Sequence, residues 1–343
     1  MTTVWIYPTE DMIEGPLASD GWRIFLSTRE GSVRALDPSG TLLWKLEGEP
    51  GRLAAGSGLL VLRQPDGTVK SLDPETGGSR WTAASGIAGE LPAVLDRDRI
   101  VVAGRGLAAL DMSTGRALWA QAAAPTVTTL PVSSGSALLV GDAEGSLISL
   151  DRNTGQRLWA YRTGRPLAAA PAVQGQRVLL GATDRRFFSL DLGKGTPQWR
   201  WRVGTDVQSP PALLHKRVLF ASLEAVLYAL DVGSGRLIWR APLPSRPLSG
   251  PLLVDESVIV ACYETDVVGF DARTGRSLGA LKTPAEIRGA PLLVEDRLYV
   301  GLRDRTLVAL KLNMTAARPV STPRPGARPS PGRRSGERNP GLP

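Results

Sequence analysis

Apolar residues along this chain fall in short runs of three to six, each stopped by Gly, Pro, Asp or a charged pair: Ile100-Val101-Val102, Val178-Leu179-Leu180, Leu252-Leu253-Val254 and Leu292-Leu293-Val294 are examples. Their length and β-branched content predict strands, and the Gly, Pro and Asp between them predict tight turns. The runs are nearly continuous in apolar residues and seldom alternate, which is the pattern of strands covered on both faces.

The runs repeat. Ala/Ser-Leu-Asp, a few turn residues, Gly and then Trp recurs with the aspartates at Asp37, Asp73, Asp111, Asp151, Asp191 and Asp231, paired with Trp44, Trp81, Trp119, Trp159, Trp199 and Trp239. A seventh copy at Asp271 carries Gly279 in place of Trp, and an eighth, Ala309-Leu310-Lys311, has lost the Asp and everything after it. The Asp-to-Asp steps are 36, 38, 40, 40, 40 and 40 residues, so one unit of four short strands has been copied eight times. Four-stranded sheets at this spacing predict an all-β eight-bladed propeller of antiparallel blades, because blades side by side around an axis cover each other's faces. Blade eight has no Trp-bearing outer strand of its own, whereas Val4-Trp5-Ile6-Tyr7 is such a strand without a blade. The expectation is that residues 4–7 complete blade eight and close the ring, giving one domain over 1–314 and a tail over 315–343.

Each Asp is expected to accept hydrogen bonds from the backbone N–H groups of its own turn, with Gly supplying a positive φ. Each Trp, Trp5 included, is expected to pack its ring on the neighbouring blade and give its indole N–H to a carbonyl; losing a fully buried one would cost roughly 3–5 kcal/mol. Gly279 predicts a weaker fastener at blade seven.

The repeated Ala-x-Asp-x-x-(Thr/Ser)-Gly-x-x-x-Trp motif resembles the tryptophan-docking repeat of the pyrroloquinoline-quinone (PQQ) type eight-bladed propellers, over ~nine-tenths of the chain. That superfamily includes quinoprotein dehydrogenases, which place calcium and PQQ in the central funnel and often carry a vicinal cysteine disulfide. It also includes non-enzymatic scaffolds of the BamB type, which work in outer-membrane protein assembly. The WD40 signature is absent.

Composition then limits the chemistry. One cysteine, Cys262, excludes a disulfide framework, a Cys cluster for zinc and the vicinal disulfide of the dehydrogenases; one histidine, His215, excludes His-based triads and multi-His metal sites. Cys262 lies in an apolar run and reads as a small buried residue, and His215 reads as a surface turn residue. Acids near the axis are scattered rather than clustered as calcium would require. The expectation is therefore a non-catalytic, BamB-like protein-interaction scaffold with no catalytic residue, cofactor or metal; the alternative is a quinoprotein-type enzyme or sensor binding PQQ or another small ligand.

The net charge is +8, but six arginines against one acid from Thr315 onward put much of it in the tail, leaving the body near neutral. That Pro- and Arg-rich tail is expected to be disordered. A nucleic-acid partner is not favoured, and the propeller is expected to be a monomer. No run approaches the ~18 apolar residues that cross a bilayer, and the first residues resemble no export signal. The chain reads as periplasmic and outer-membrane associated if its start is truncated, and as cytoplasmic otherwise. Candidate partner-binding residues are those expected around one funnel mouth, opposite the Asp-Gly turns: Arg29, Arg63, Arg105, Arg165, Asp184, Arg185, Arg186, Arg246, Tyr263, Arg288, Arg303 and Arg305. Arginine forks suit carboxylate pairing and interface anchoring, and the competing reading is that these are solvated turn residues.

Overall fold

The computed structural model describes residues 1–122 and 125–312; the expected tail over 315–343 lies outside them. Eight four-stranded antiparallel sheets form the ring. Blade one comprises Ala18–Ser19, Ile24–Ser27, Val33–Leu36 and Leu42–Leu46, from the axis outward; blade five, typical of the rest, comprises Ala172–Gln174, Arg177–Gly181, Arg186–Asp191 and Pro197–Arg202. Blade eight takes Leu292–Val294, Arg297–Gly301 and Thr306–Lys311 from the end of the chain and Thr2–Pro8 from its beginning. The closing strand runs antiparallel to Thr306–Lys311, with Thr3 opposite Leu310 and Trp5 opposite Ala309.

Burial follows the topology. The middle two strands of each blade are almost wholly inaccessible, as in Arg99–Gly104 and Val33–Leu36, whereas outer strands alternate exposed and half-buried residues. The buried apolar side chains form one cluster at each of the eight seams between adjacent blades. Stability is thus a sum over seams, as expected when each repeat contacts only its neighbours.

One device is common to seven seams. The outer-strand Trp of one blade lies on the turn glycine of the next: Trp5 on Gly40, Trp44 on Gly77, Trp81 on Gly115, and so on to Trp239 on Gly275. Any Cβ on these glycines would enter the indole ring, at 2.8 Å for Gly40 and 2.6 Å for Gly275, and their φ values of +89° and +75° already favour glycine. Six of the seven rings also donate their N–H to the carbonyl of the residue after the turn aspartate, Trp5 to Pro38 at 2.9 Å and Trp239 to Ala272 at 3.1 Å among them. The receiving turn is held by its own Asp: Asp73 Oδ1 accepts from the N–H groups of Glu75 and Thr76, and Asp111 Oδ1 from those of Ser113 and Thr114. Only Trp239 is nearly out of solvent, at 8% exposure; the others are half-buried, so the full cost of removing a buried Trp applies to that one alone.

Candidate interaction face at the mouth of the ring

The loop that carries the chain from one blade to the next lies against the turn between the second and third strands of the blade it enters. Isolated bridges join Ile13 to Thr28, Val127 to Asp142, Pro247 to Cys262 and Ile287 to Leu302. Backbone bonds reinforce them, with the N–H of Arg29 donating to Met12, of Tyr263 to Arg246, and of Arg303 to Glu286. These loops and turns ring one mouth of the funnel, and the Asp-Gly turns ring the other.

Most of the sequence-predicted residues stand exposed on this face: Arg29, Arg105, Arg165, Arg185, Arg186, Arg246, Tyr263, Arg303 and Arg305. The fold brings some of them together. Arg246 and Tyr263 share a backbone bond, Arg303 pairs with Glu286 at 3.1 Å, and the carbonyl of Arg305 accepts from the N–H of Thr9, just past the strand that closes the ring. Asp184 is half-buried beside Arg186.

Arg63 is a correction. It is 1% exposed and its guanidinium donates to the carbonyls of Ile87, Leu91 and Ala103, so it cannot reach a partner. It ends a strand, Leu59–Arg63, opposite Val69, where other blades place a small residue opposite the same partner: Ser27, Ala103, Gly141, Gly181, Ala221, Ala261 and Gly301. Room for the long side chain comes from Gly89 and Gly104, where a Cβ would stand 3.3 Å and 3.1 Å from its Nη2. Burial lowers its pKa, opposed by the nearby Glu90 carboxylate, though an arginine stays charged, and the three carbonyls compensate the buried charge.

Arg288 is also partly withdrawn, donating to the Ile13 carbonyl at 3.2 Å and pairing with Glu14 at 3.2 Å. Glu14 is the centre of a charged node that sequence reasoning missed. Its carboxylate also meets Arg52 at 3.2 Å and Arg29 at 3.8 Å, and Arg52 reaches Glu90 at 3.2 Å. A signal existed: the inner strands of blades three to eight follow a proline, whereas that of blade two starts at Arg52.

A calcium-held quinone needs several oxygen ligands converging on one point. At this mouth Glu14 and Glu90 are engaged by arginines, and among the described residues no three His, Cys, Asp or Glu side chains are placed to hold a metal ion. The residues present do not fit such a group. Cys262 is fully buried, which pushes its thiol up to about 11, and His215 sits at an exposed turn with its ring 2.7 Å from Glu256.

A family model described as outer membrane protein assembly factor BamB matches the chain over residues 29–133, 104–212 and 190–328. Among solved structures, BamB from Moraxella catarrhalis superposes with a TM-score of 0.78 at 18% identity, covering 91% of this chain and 99% of that one. The computationally designed Ika8 protein gives 0.80 at 16% identity, covering 91% of this chain and 100% of its own. The quinohemoprotein alcohol dehydrogenase from Comamonas testosteroni gives 0.69 at 14% identity, covering 92% of this chain and 77% of the enzyme. At these identities the structures share the fold. Comparison with curated protein sequences gives no match.

Proposed function

This chain belongs to the family of outer membrane protein assembly factor BamB, and we propose that it is a non-catalytic scaffold of outer-membrane protein assembly that holds protein partners against the loop-bearing mouth of its ring. The observation that carries this reading is a family match reaching from blade one into blade eight. The mouth supports it: beside exposed acids such as Glu264 and Asp304 it presents arginine forks and Tyr263, residue types that anchor protein interfaces, mounted on loops tied down by backbone bonds. A rigid rim of this kind loses little conformational freedom when a partner docks.

The test uses the protein in its own host. Tyr263→Ala combined with Arg303→Glu and Arg305→Glu should leave the melting temperature within a few degrees while abolishing cross-linking to the outer-membrane assembly machinery. Deleting the gene should lower the amount of barrel proteins in the outer membrane. Unchanged barrel levels together with unchanged cross-linking overturn the proposal. A quinone absorbance that appears on adding PQQ and calcium to the purified chain would support the enzyme reading in its place.

A further inference from the structure

The near-neutral body conceals two electrostatic poles. Residues 1–96 carry thirteen acids and eight bases, whereas residues 157–246 carry five acids and fourteen Lys and Arg. In the first region bases are drawn into ion pairs, as Arg34 with Glu10, Arg52 with Glu14 and Lys70 with Glu49. The second region is concentrated on blade five. There Arg185, Arg186, Arg200 and Arg202 line an open cleft of about 320 Å³ together with Asp184 and Trp201.

Three features distinguish this cleft from an ordinary solvated rim. Arg186 and Arg202 stand directly opposite each other on paired strands, a like-charge arrangement that disfavours the sheet. Among the described residues, only Arg186 of the four arginines meets a carboxylate, Asp184 at 3.5 Å, and that carboxylate is compromised: its Oδ1 is buried without a hydrogen-bond partner among them, and desolvation raises its pKa. The strand carrying Arg200 and Arg202 is also fixed in place. Trp199 and Trp201 alternate to its other face, where Trp201 meets Tyr228 at 5.1 Å and Phe220 at 6.4 Å.

We propose that this cleft is a binding site for a phosphate group carrying two or more negative charges, held by Arg185, Arg186, Arg200 and Arg202. The charge decides between ligand classes. Four guanidinium groups against Asp184, with Asp206 near enough to act on it, leave an excess of at least two positive charges, of which a single carboxylate would neutralise only one. A phosphomonoester or diphosphate brings about two charges and at least three acceptor oxygens, enough to engage several forks at once. The volume, at the small end for ligand pockets, suits a compact anion better than a large cofactor. The cleft shares Asp184, Arg185 and Arg186 with the loop-bearing mouth, but the two proposals are tested apart, because none of the residues changed to test the one is changed to test the other.

Calorimetric titration of the full chain with inorganic pyrophosphate at low salt is expected to give saturable binding. The double variant Arg200→Gln, Arg202→Gln should weaken it at least tenfold without lowering the melting temperature, whereas Arg236→Gln, on an exposed turn at the opposite mouth, should bind as the parent does. Vesicles of phosphatidylcholine with phosphatidic acid separate the sources. Retention that the double variant loses assigns a lipid headgroup, and pyrophosphate binding without retention assigns a soluble phosphate; both uphold the site. No binding of pyrophosphate at millimolar concentration, or equal binding by the double variant, overturns it. So does binding of poly-glutamate in preference to pyrophosphate, which transfers the cleft to an acidic peptide.

Discussion

Between blades eight and one, Trp5 lays its ring on Gly40 and donates to the Pro38 carbonyl at 2.9 Å; between blades seven and eight, the corresponding outer-strand position is Gly279, around which a Cβ would meet nothing within 4 Å. The same blade therefore has one fastened and one unfastened neighbour. The difference teaches that the fastener has two halves. Blade eight has Lys311 where the other blades have the turn aspartate, so its sequence lacks the Asp-Gly motif on which the tryptophans sit, and blade seven offers no tryptophan. What remains at that seam is apolar packing, with Ile259, Ala261 and Val267 against Leu298, Val300, Val308 and Leu310.

Removing residues 1–8 should have the largest effect, because it takes away Trp5 and uncovers the edge of Thr306–Lys311. The shortened chain is expected to lose its cooperative melt and to scatter light at micromolar concentration. A sharp melt near the parent temperature would mean that the ring does not depend on its first strand. Next comes Trp239→Ala, at about 3–5 kcal/mol in urea denaturation, since this is the one nearly inaccessible fastener; Trp5→Ala should cost less because its ring is half-exposed.

A glycine pair sharpens the comparison further. Gly275→Ala and Gly279→Ala both force alanine into a positive φ, +75° and +130°, at a cost of about 1–2 kcal/mol. Only Gly275 also drives a methyl group into an indole, that of Trp239 at 2.6 Å. The first variant should therefore melt clearly below the second, and equal melting temperatures would deny the fastener its steric basis.

The smallest expected effect is on pH. Hydrogen bonds hold two turn carboxyls down to about 2: Asp73 through Arg80 and then the N–H of Glu75, and Asp111 through Ser113 and Thr114. Their folded pKa lies below the unfolded value of roughly 3.9, so their contribution is complete above about pH 4 and fades as pH falls toward 2. The parent melting temperature should drop over that window, and Asp111→Asn should flatten the drop. The seam between blades seven and eight, lacking such a turn, contributes nothing to it.

The repeat made the fold legible. Asp-to-Trp spacing gave the number of blades, and the orphan Trp5 gave the closure, because both are properties of local sequence that every unit restates. The turn hydrogen bonds were legible for the same reason. Arg63 was misread because Leu62-Arg63-Gln64 resembles the start of a turn, yet Arg63 is the last paired residue of its strand, at a position that is buried in every blade. Comparing that position across blades, where the others have Ser, Ala or Gly, would have flagged it. The Glu14 node and the Arg200–Arg202 contribution to the blade-five cleft were hidden by distance along the chain. Glu14 and Arg288 are 274 residues apart, and Arg202 reads as an ordinary outer-strand residue until its register places it against Arg186.

Pairing Thr2–Pro8 with Thr306–Lys311 also fixes a timetable for biosynthesis. The closing strand is synthesised well before its partner, which emerges some 300 residues later. At an elongation rate of about 5–20 residues per second, that leaves the closing strand waiting on the order of fifteen seconds to a minute. During that interval Val4 and Ile6 lie on an unpaired β segment, the kind of segment that a holdase chaperone would have to keep from premature association.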